Sequence, residues 1–214
     1  MDETGAPVDV VASLGTSRRT DRALSALAGA DEQLELAQSY FRKAELAPEQ
    51  AAWRDTYYRR AEALAELVLE SHPNSAEAHF LMFATRGRRI LATGPDMSDL
   101  WQLPTLTQHL DRTLELDPAH AHALAAKGGL LLDLPGFVGG DVEGARRYLE
   151  RALELNPGGV RTRLSLARAL IRQGHREPAL AHLNTAAHHA CVLRRKAALV
   201  EIDGLLAELA SESL

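Results

Sequence analysis

The sequence predicts an all-α protein built as a stack of antiparallel helix pairs, and three observations predict it. First, aligning "GARRYLERALELNPGG" (144–159) on "PALAHLNTAAHHACVL" (178–193) sets Ala145, Leu149 and Ala152 against Ala179, Leu183 and Ala186, each pair 34 positions apart. Second, apolar helical runs end on similar punctuation. "DRTLELDPAHAHAL" (111–124) and "ERALELNPGGVRTRL" (150–164) share a helix ending, with Pro118 and Pro157 separated by 39 positions. The five extra residues fall in the loop "LDLPGFVGGD". A fainter copy, "AELVLESHPNSAEAHF" (65–80), sets Pro73 45 positions before Pro118, which puts an insertion near "TGPDMSDLWQLP". Third, alternating runs rich in Val, Ile and Thr are absent, so no sheet is expected.

A period of this length means that one helical hairpin is the repeating unit and that neighbouring hairpins bury one another's apolar faces. Small residues (Ala145, Ala152, Ala179, Ala186) let helices approach, and Leu149, Leu153 and Leu155 supply bulk. Proline after each second helix stops it, because proline is tolerated in a first turn and disruptive inside. Helices are expected at 31–46, 50–71, 75–92, 104–116, 119–132, 142–155, 159–173, 176–190 and 193–211. Residues 1–30 read as a tail and N-terminal helical segment. Residues 31–214 read as one repeat domain with its best units at 76–118, 121–157 and 160–190. A capping helix at 193–211 closes the stack through Leu205, Leu206 and Leu209.

Composition bounds the function. With 214 residues, 46% of them hydrophobic, the chain sustains a real core. A net charge of −5 and a pI near 6.0 give no basic footprint for nucleic acid. No run reaches the ~18 apolar residues of a membrane span. One cysteine, Cys191, excludes an intrachain disulfide framework and any cysteine-based zinc site. The start "MDETGAPVDVVASLG" is acidic and has no apolar signal core, which predicts a cytoplasmic location, or a periplasmic one if an export signal has been removed.

The pattern "YLERALELNP" followed by "LSLARALIRQGHREPALAHLNTA" resembles the tetratricopeptide repeat. Leu164, Leu166, Ala167, Gly174, Ala179 and Ala186 stand at family positions, and the resemblance covers roughly residues 50 to 190. The usual first-helix Trp is replaced by His79, Leu124 and Arg163. The resemblance implies a right-handed α-solenoid with additional N- and C-terminal helices, and a concave groove lined by the first helix of each pair. The loop Leu134–Asp141 is also similar to one in bacterial repeat proteins associated with tripartite solute transporters.

Candidate chemistry is sparse. "GGDVE" is short of the strand context that a cyclic-dinucleotide synthase signature needs. Asp141 reads instead as the N-cap of helix 142–155, its carboxylate accepting from open backbone amides, with Gly139 and Gly140 supplying conformations other residues avoid. Phe137 on this loop is the candidate lining of a small-ligand cavity or a partner contact. Among nine histidines, His182 and His189 are about 10 Å apart along one helix, too far to share an ion, and no His-x-x-x-His pair occurs. No metal, cofactor or catalytic set is predicted. Cys191 beside His188 reads as packing rather than as a nucleophile. Glu150 and Glu154 read as solvated partners of Arg146, Arg147 and Arg151.

The strongest functional signal is basic. Arg161, Arg168 and Arg172 fall at i, i+7 and i+11 of one helix, on nearly one line at ~100° per residue. The family resemblance puts these at groove-lining positions. His122, Ala125 and Gly129 match them in the preceding unit, and Glu77, Phe80 and Ala84 in the one before. Guanidinium forks suit carboxylates. The sequence therefore predicts a non-enzymatic scaffold that binds an acidic protein or peptide through Arg161, Arg168 and Arg172, with His122 and Phe80 lining the groove. The alternative is a small-ligand accessory of a transport system, using Phe137, Gly139, Gly140 and Asp141. An oligomer is compatible with either.

Overall fold

A computed structural model of the chain describes residues 29–47, 53–93 and 103–211. These residues form nine α-helices, one 3-10 turn and no strand. In order they are α1 (Ala30–Leu46), α2 (Trp53–Ser71), α3 (Ala76–Thr93), α4 (Leu103–Leu116), α5 (Ala121–Asp133), α6 (Val142–Leu155), α7 (Val160–Arg172), α8 (Arg176–Val192) and α9 (Lys196–Ser211). The 3-10 turn is Gly136–Val138. The tail expected at 1–30 lies outside the described residues except at Gly29 and Ala30, as does most of the insertion expected near "TGPDMSDLWQLP". No helix among the described residues is long and apolar enough to cross a membrane.

The proline punctuation has one structural form. In the turns His72–Ser75, Asp117–His120 and Asn156–Gly159 the fourth amide donates to the first carbonyl at 3.1, 3.1 and 3.2 Å. Pro73, Pro118 and Pro157 occupy the second position, where their fixed φ suits the turn. Helices therefore start one or two residues later than the proline spacing alone suggests. The second kind of joint needs a left-handed residue. Gly174 (φ +77) closes α7, with the His175 amide donating to the Leu170 carbonyl at 2.8 Å. Arg194 (φ +52) closes α8 in the same way, the Arg195 amide donating to Ala190 at 2.9 Å. This reversal is why the last helix begins at Lys196 and not at 193.

By packing, the chain divides into two compact units that meet at Arg112/Thr113, inside α4. In the first unit α1, α2 and α3 enclose Ala37, Leu64, Ala65, Val68, Ala78, Leu81 and Met82. Tyr40 stacks on Tyr57 and Trp53 meets Tyr57 edge-on. A polar lattice joins the helices across this core. Glu62 accepts from Arg86 at 2.7 Å and Arg89 at 2.8 Å, and Asp55 accepts from Arg89 at 2.8 Å and Arg59 at 2.6 Å. The Tyr58 hydroxyl donates to Glu45 at 2.6 Å. Burial and then the Glu45 carboxylate push that phenol up to about 12.

In the second unit small residues and leucines alternate as the repeat requires. Leu149, Leu153, Leu166, Leu170 and Ala179 form one cluster joining α6, α7 and α8. Val160, Leu164, Ala167, Leu183, Ala186, Ala190, Ile202 and Leu209 form the next, with Leu205 and Leu206 packed against it. Ile202 and Leu209 bring α9 onto that cluster. Gly128 of α5 lets α6 approach: a Cβ there would stand 2.6 Å from Leu149 Cγ. The Arg146–Glu143, Arg146–Glu150 and Arg151–Glu154 pairs lie one turn apart on the surface of α6 and contribute little to stability.

Candidate functional site

Helix α7 turns one line toward solvent: Arg161, Ser165, Arg168 and Arg172, at i, i+4, i+7 and i+11, opposite its buried Leu166, Ala167 and Leu170. Arg161 and Arg172 are exposed at the two ends, and Ser165 and Arg168 are half-buried between them. Its neighbour α5 carries the same spacing in His122, Ala126, Gly129 and Asp133. Two of the arginines tie the helices together beside the shared core cluster of Leu132, Ala145 and Ala169. Arg168 Nη2 donates to Asp133 Oδ1 at 3.2 Å, and Arg172 Nη1 donates to the Leu132 carbonyl. That carbonyl belongs to the last turn of α5, where unpaired C=O groups concentrate partial negative charge and attract cations.

The three arginines are therefore not equivalent. Arg168 and Arg172 bind the end of α5, so part of their donor capacity is used inside the unit. Arg161 is exposed at the start of α7. His122 is exposed on α5, its ring 6.4 Å from that of His120. Phe80 belongs to the first unit and is 9% exposed, turned into the packing of α3 rather than out to a groove. The large apolar ring is better buried than wet.

Sequence reasoning did not single out Lys196. It opens α9 and begins a third line of the same spacing, Lys196, Val200, Asp203 and Ala207, all exposed and turned away from the buried Ile202. The signal was present in "LRRKAALV", but it falls into register only once the helix start is moved to 196.

The loop residues have structural roles. Gly139 adopts φ +99. Gly140 has an ordinary φ but lies against the chain, since a Cβ on it would stand 1.9 Å from the Leu134 carbonyl oxygen. Both glycines close a turn in which the Val138 and Gly140 amides donate to Pro135 and the Asp141 amide donates to Leu131, each at 3.0 Å. Asp141 is at the N-cap position of α6, but its carboxylate makes no cap hydrogen bond. It lies instead over the bare Cα of Gly144, where a Cβ would be 2.4 Å from Oδ2. The side-chain cap expected there occurs at His120, which accepts from the Ala123 amide at 3.1 Å. Phe137 is 91% exposed and lines no enclosed space, which leaves the small-ligand reading without support. Among the described residues no group of three or more His, Cys, Asp or Glu is arranged to hold a metal ion.

Paired helices with proline turns, small-residue seams and one solvent-facing first-helix line define a helical-repeat protein. Residues 139–190 match the tetratricopeptide repeat family model. The resemblance carried by "YLERALELNP" thus holds over that stretch, and solved structures extend the fold to most of the chain. The crystal structure of MamA is 18% identical, covers 83% of this chain and 88% of its own, and superposes with a TM-score of 0.52. A thermophilic tetratricopeptide-repeat protein of Thermus thermophilus is 17% identical, with 78% and 80% coverage and a TM-score of 0.52. An O-GlcNAc transferase mutant of Thermobaculum terrenum is 22% identical over 81% of this chain, but only 27% of the transferase is matched, at a TM-score of 0.51. At these identities the likeness is one of fold. No curated protein matches the sequence.

Proposed function

We propose that this chain is a non-enzymatic scaffold that holds an extended, acidic protein or peptide segment along the solvent-facing first-helix side of its second unit. One observation carries the reading: Arg161, Arg168 and Arg172 stand on a single line of α7, beside a line of matched spacing on α5. Arg161 is the anionic anchor, because it is exposed at the start of α7 and heads the line. A guanidinium takes a carboxylate bidentately, with a geometry that a lysine does not reproduce. The middle of the face is small and weakly polar, at Ala126, Gly129 and Ser165. That leaves room for a backbone to lie close to the helices. Stacked hairpins act through such surfaces rather than through a chemical centre.

The expected result is that Arg161→Glu abolishes capture of the partner in a pull-down while the unfolding free energy stays within about 0.5 kcal/mol of the wild type, as for other surface changes. The triple variant R161E/R168E/R172E also loses the partner, but it is expected to be less stable because two of its changes break the α5–α7 fastening. Unchanged capture by Arg161→Glu removes the assignment.

A further inference from the structure

A pair of histidines in the first unit is joined in a way that fixes where the protons are. His79 of α3 and His109 of α4 meet Nδ1 to Nδ1 at 2.9 Å, and His79 Nε2 lies 3.0 Å from the Pro73 carbonyl oxygen. A carbonyl only accepts, so His79 Nε2 carries a hydrogen. In a neutral His79 the other nitrogen is then bare, and it is an acceptor. His109 must therefore carry its hydrogen on Nδ1 and donate it. One additional proton leaves the contact intact, because one Nδ1 can still donate while the other accepts. A second additional proton does not. Two N–H groups would then point at each other at 2.9 Å, between two cations.

We propose that the His79–His109 pair is a proton-operated latch, closed with no extra proton or one and opened by the second, that ties α4 to α3 and to the turn at Pro73. The turn is the right place for such a tie. Arg112, one helical turn beyond His109, donates to Asn74 Oδ1 at 2.6 Å, so two polar threads from α4 converge on Pro73 and Asn74. Opening the histidine contact removes one of these two threads.

The charged groups facing the pair come from each helix around it. Arg86 of α3 opposes the uptake of protons and Glu62 of α2 favours it, although Glu62 is already engaged by Arg86 and Arg89. Burial first, then the charges of His79 and Arg86, hold His109 below the ordinary imidazole value, against Glu62. A histidine whose folded value is depressed stabilises the fold at pH above its unfolded value of about 6.5, and that stabilisation is lost as pH falls through the folded value. The latch is thus closed at neutral pH and opens on acidification.

The test uses the full chain and two readouts. Long-range imidazole 1H–15N spectra at about pH 8 are expected to show His79 protonated on Nε2 and His109 on Nδ1. The opposite assignment for either ring, or free tautomer averaging in both, overturns the latch. Amide exchange, corrected for intrinsic rates, is expected to speed up about 10-fold or more in α4 between about pH 7 and pH 5. In His109→Gln that acid-induced acceleration is expected to shrink to within about twofold. Equal acceleration in the wild type and the variant also overturns it. If the variant fails to fold, the wild-type spectra decide alone.

Discussion

Leu149→Ala is expected to lower the stability of the second unit by about 2–5 kcal/mol, the range for deleting a fully buried leucine in a core that relaxes only partly. Leu149 is 0% exposed and sits in the cluster shared by α6, α7 and α8. It also packs on Gly128, whose missing side chain admits it: a Cβ there would be 3.0 Å from both the Ala145 carbonyl oxygen and Leu149 Cδ2. The alanine therefore loosens α5 and α8 together, through one side chain. Chemical denaturation followed by circular dichroism measures the loss. A cost below about 1 kcal/mol would mean that the hairpins do not depend on one another for burial, contrary to the behaviour of stacked repeats.

Gly140→Ala is expected to cost about 2–3 kcal/mol, because its Cβ has no rotamer with which to escape backbone atoms. It would stand 1.9 Å from Leu134 O, 2.7 Å from Leu134 C and 2.9 Å from Pro135 C. Relief requires opening the turn that returns the chain from α5 to α6, with loss of the Gly140–Pro135 and Asp141–Leu131 hydrogen bonds. Gly139→Ala meets no atom and bears only the left-handed φ of +99, which costs about 1–2 kcal/mol for an L side chain. Thermal unfolding of the two variants side by side checks the order. A milder effect at Gly140 than at Gly139 would contradict the close approach.

Most of the architecture was legible because its determinants are local. Proline at a fixed turn position and small residues one helical face apart are patterns within a few residues, and they place α3 and α5 to α8 to within two residues at each end. What was not legible depends on distant partners or on single backbone angles. Glu62 meets Arg86 and Arg89 from 24 and 27 positions away, and Tyr58 meets Glu45 from 13. No helical spacing announces such pairs. The positive φ at Arg194 carries no glycine to signal it, so the start of α9 was read three residues early and Lys196 went unnoticed.

The candidate site was half legible for the same reason. The line Arg161–Arg168–Arg172 is a property of one helix and follows from the sequence. The partners of Arg168 and Arg172 are 35 and 40 positions away at the end of α5, and only the fold shows that these two side chains fasten repeats to each other. Asp141 illustrates the limit of a cap rule: the residue type and the position are right, but the bare Cα of Gly144 offers its carboxylate another resting place.

The most direct measurement is site-specific photocrosslinking from two positions of the second unit, Ser165 on the α7 line and Asn184 on the exposed outer side of α8. With a photoreactive side chain at Ser165, a discrete partner adduct is expected, and it is expected to vanish when Arg161→Glu is added. From Asn184 no such adduct is expected. An adduct of equal yield from Asn184, or a Ser165 adduct indifferent to Arg161→Glu, would contradict a binding face built by the first helices of the stack.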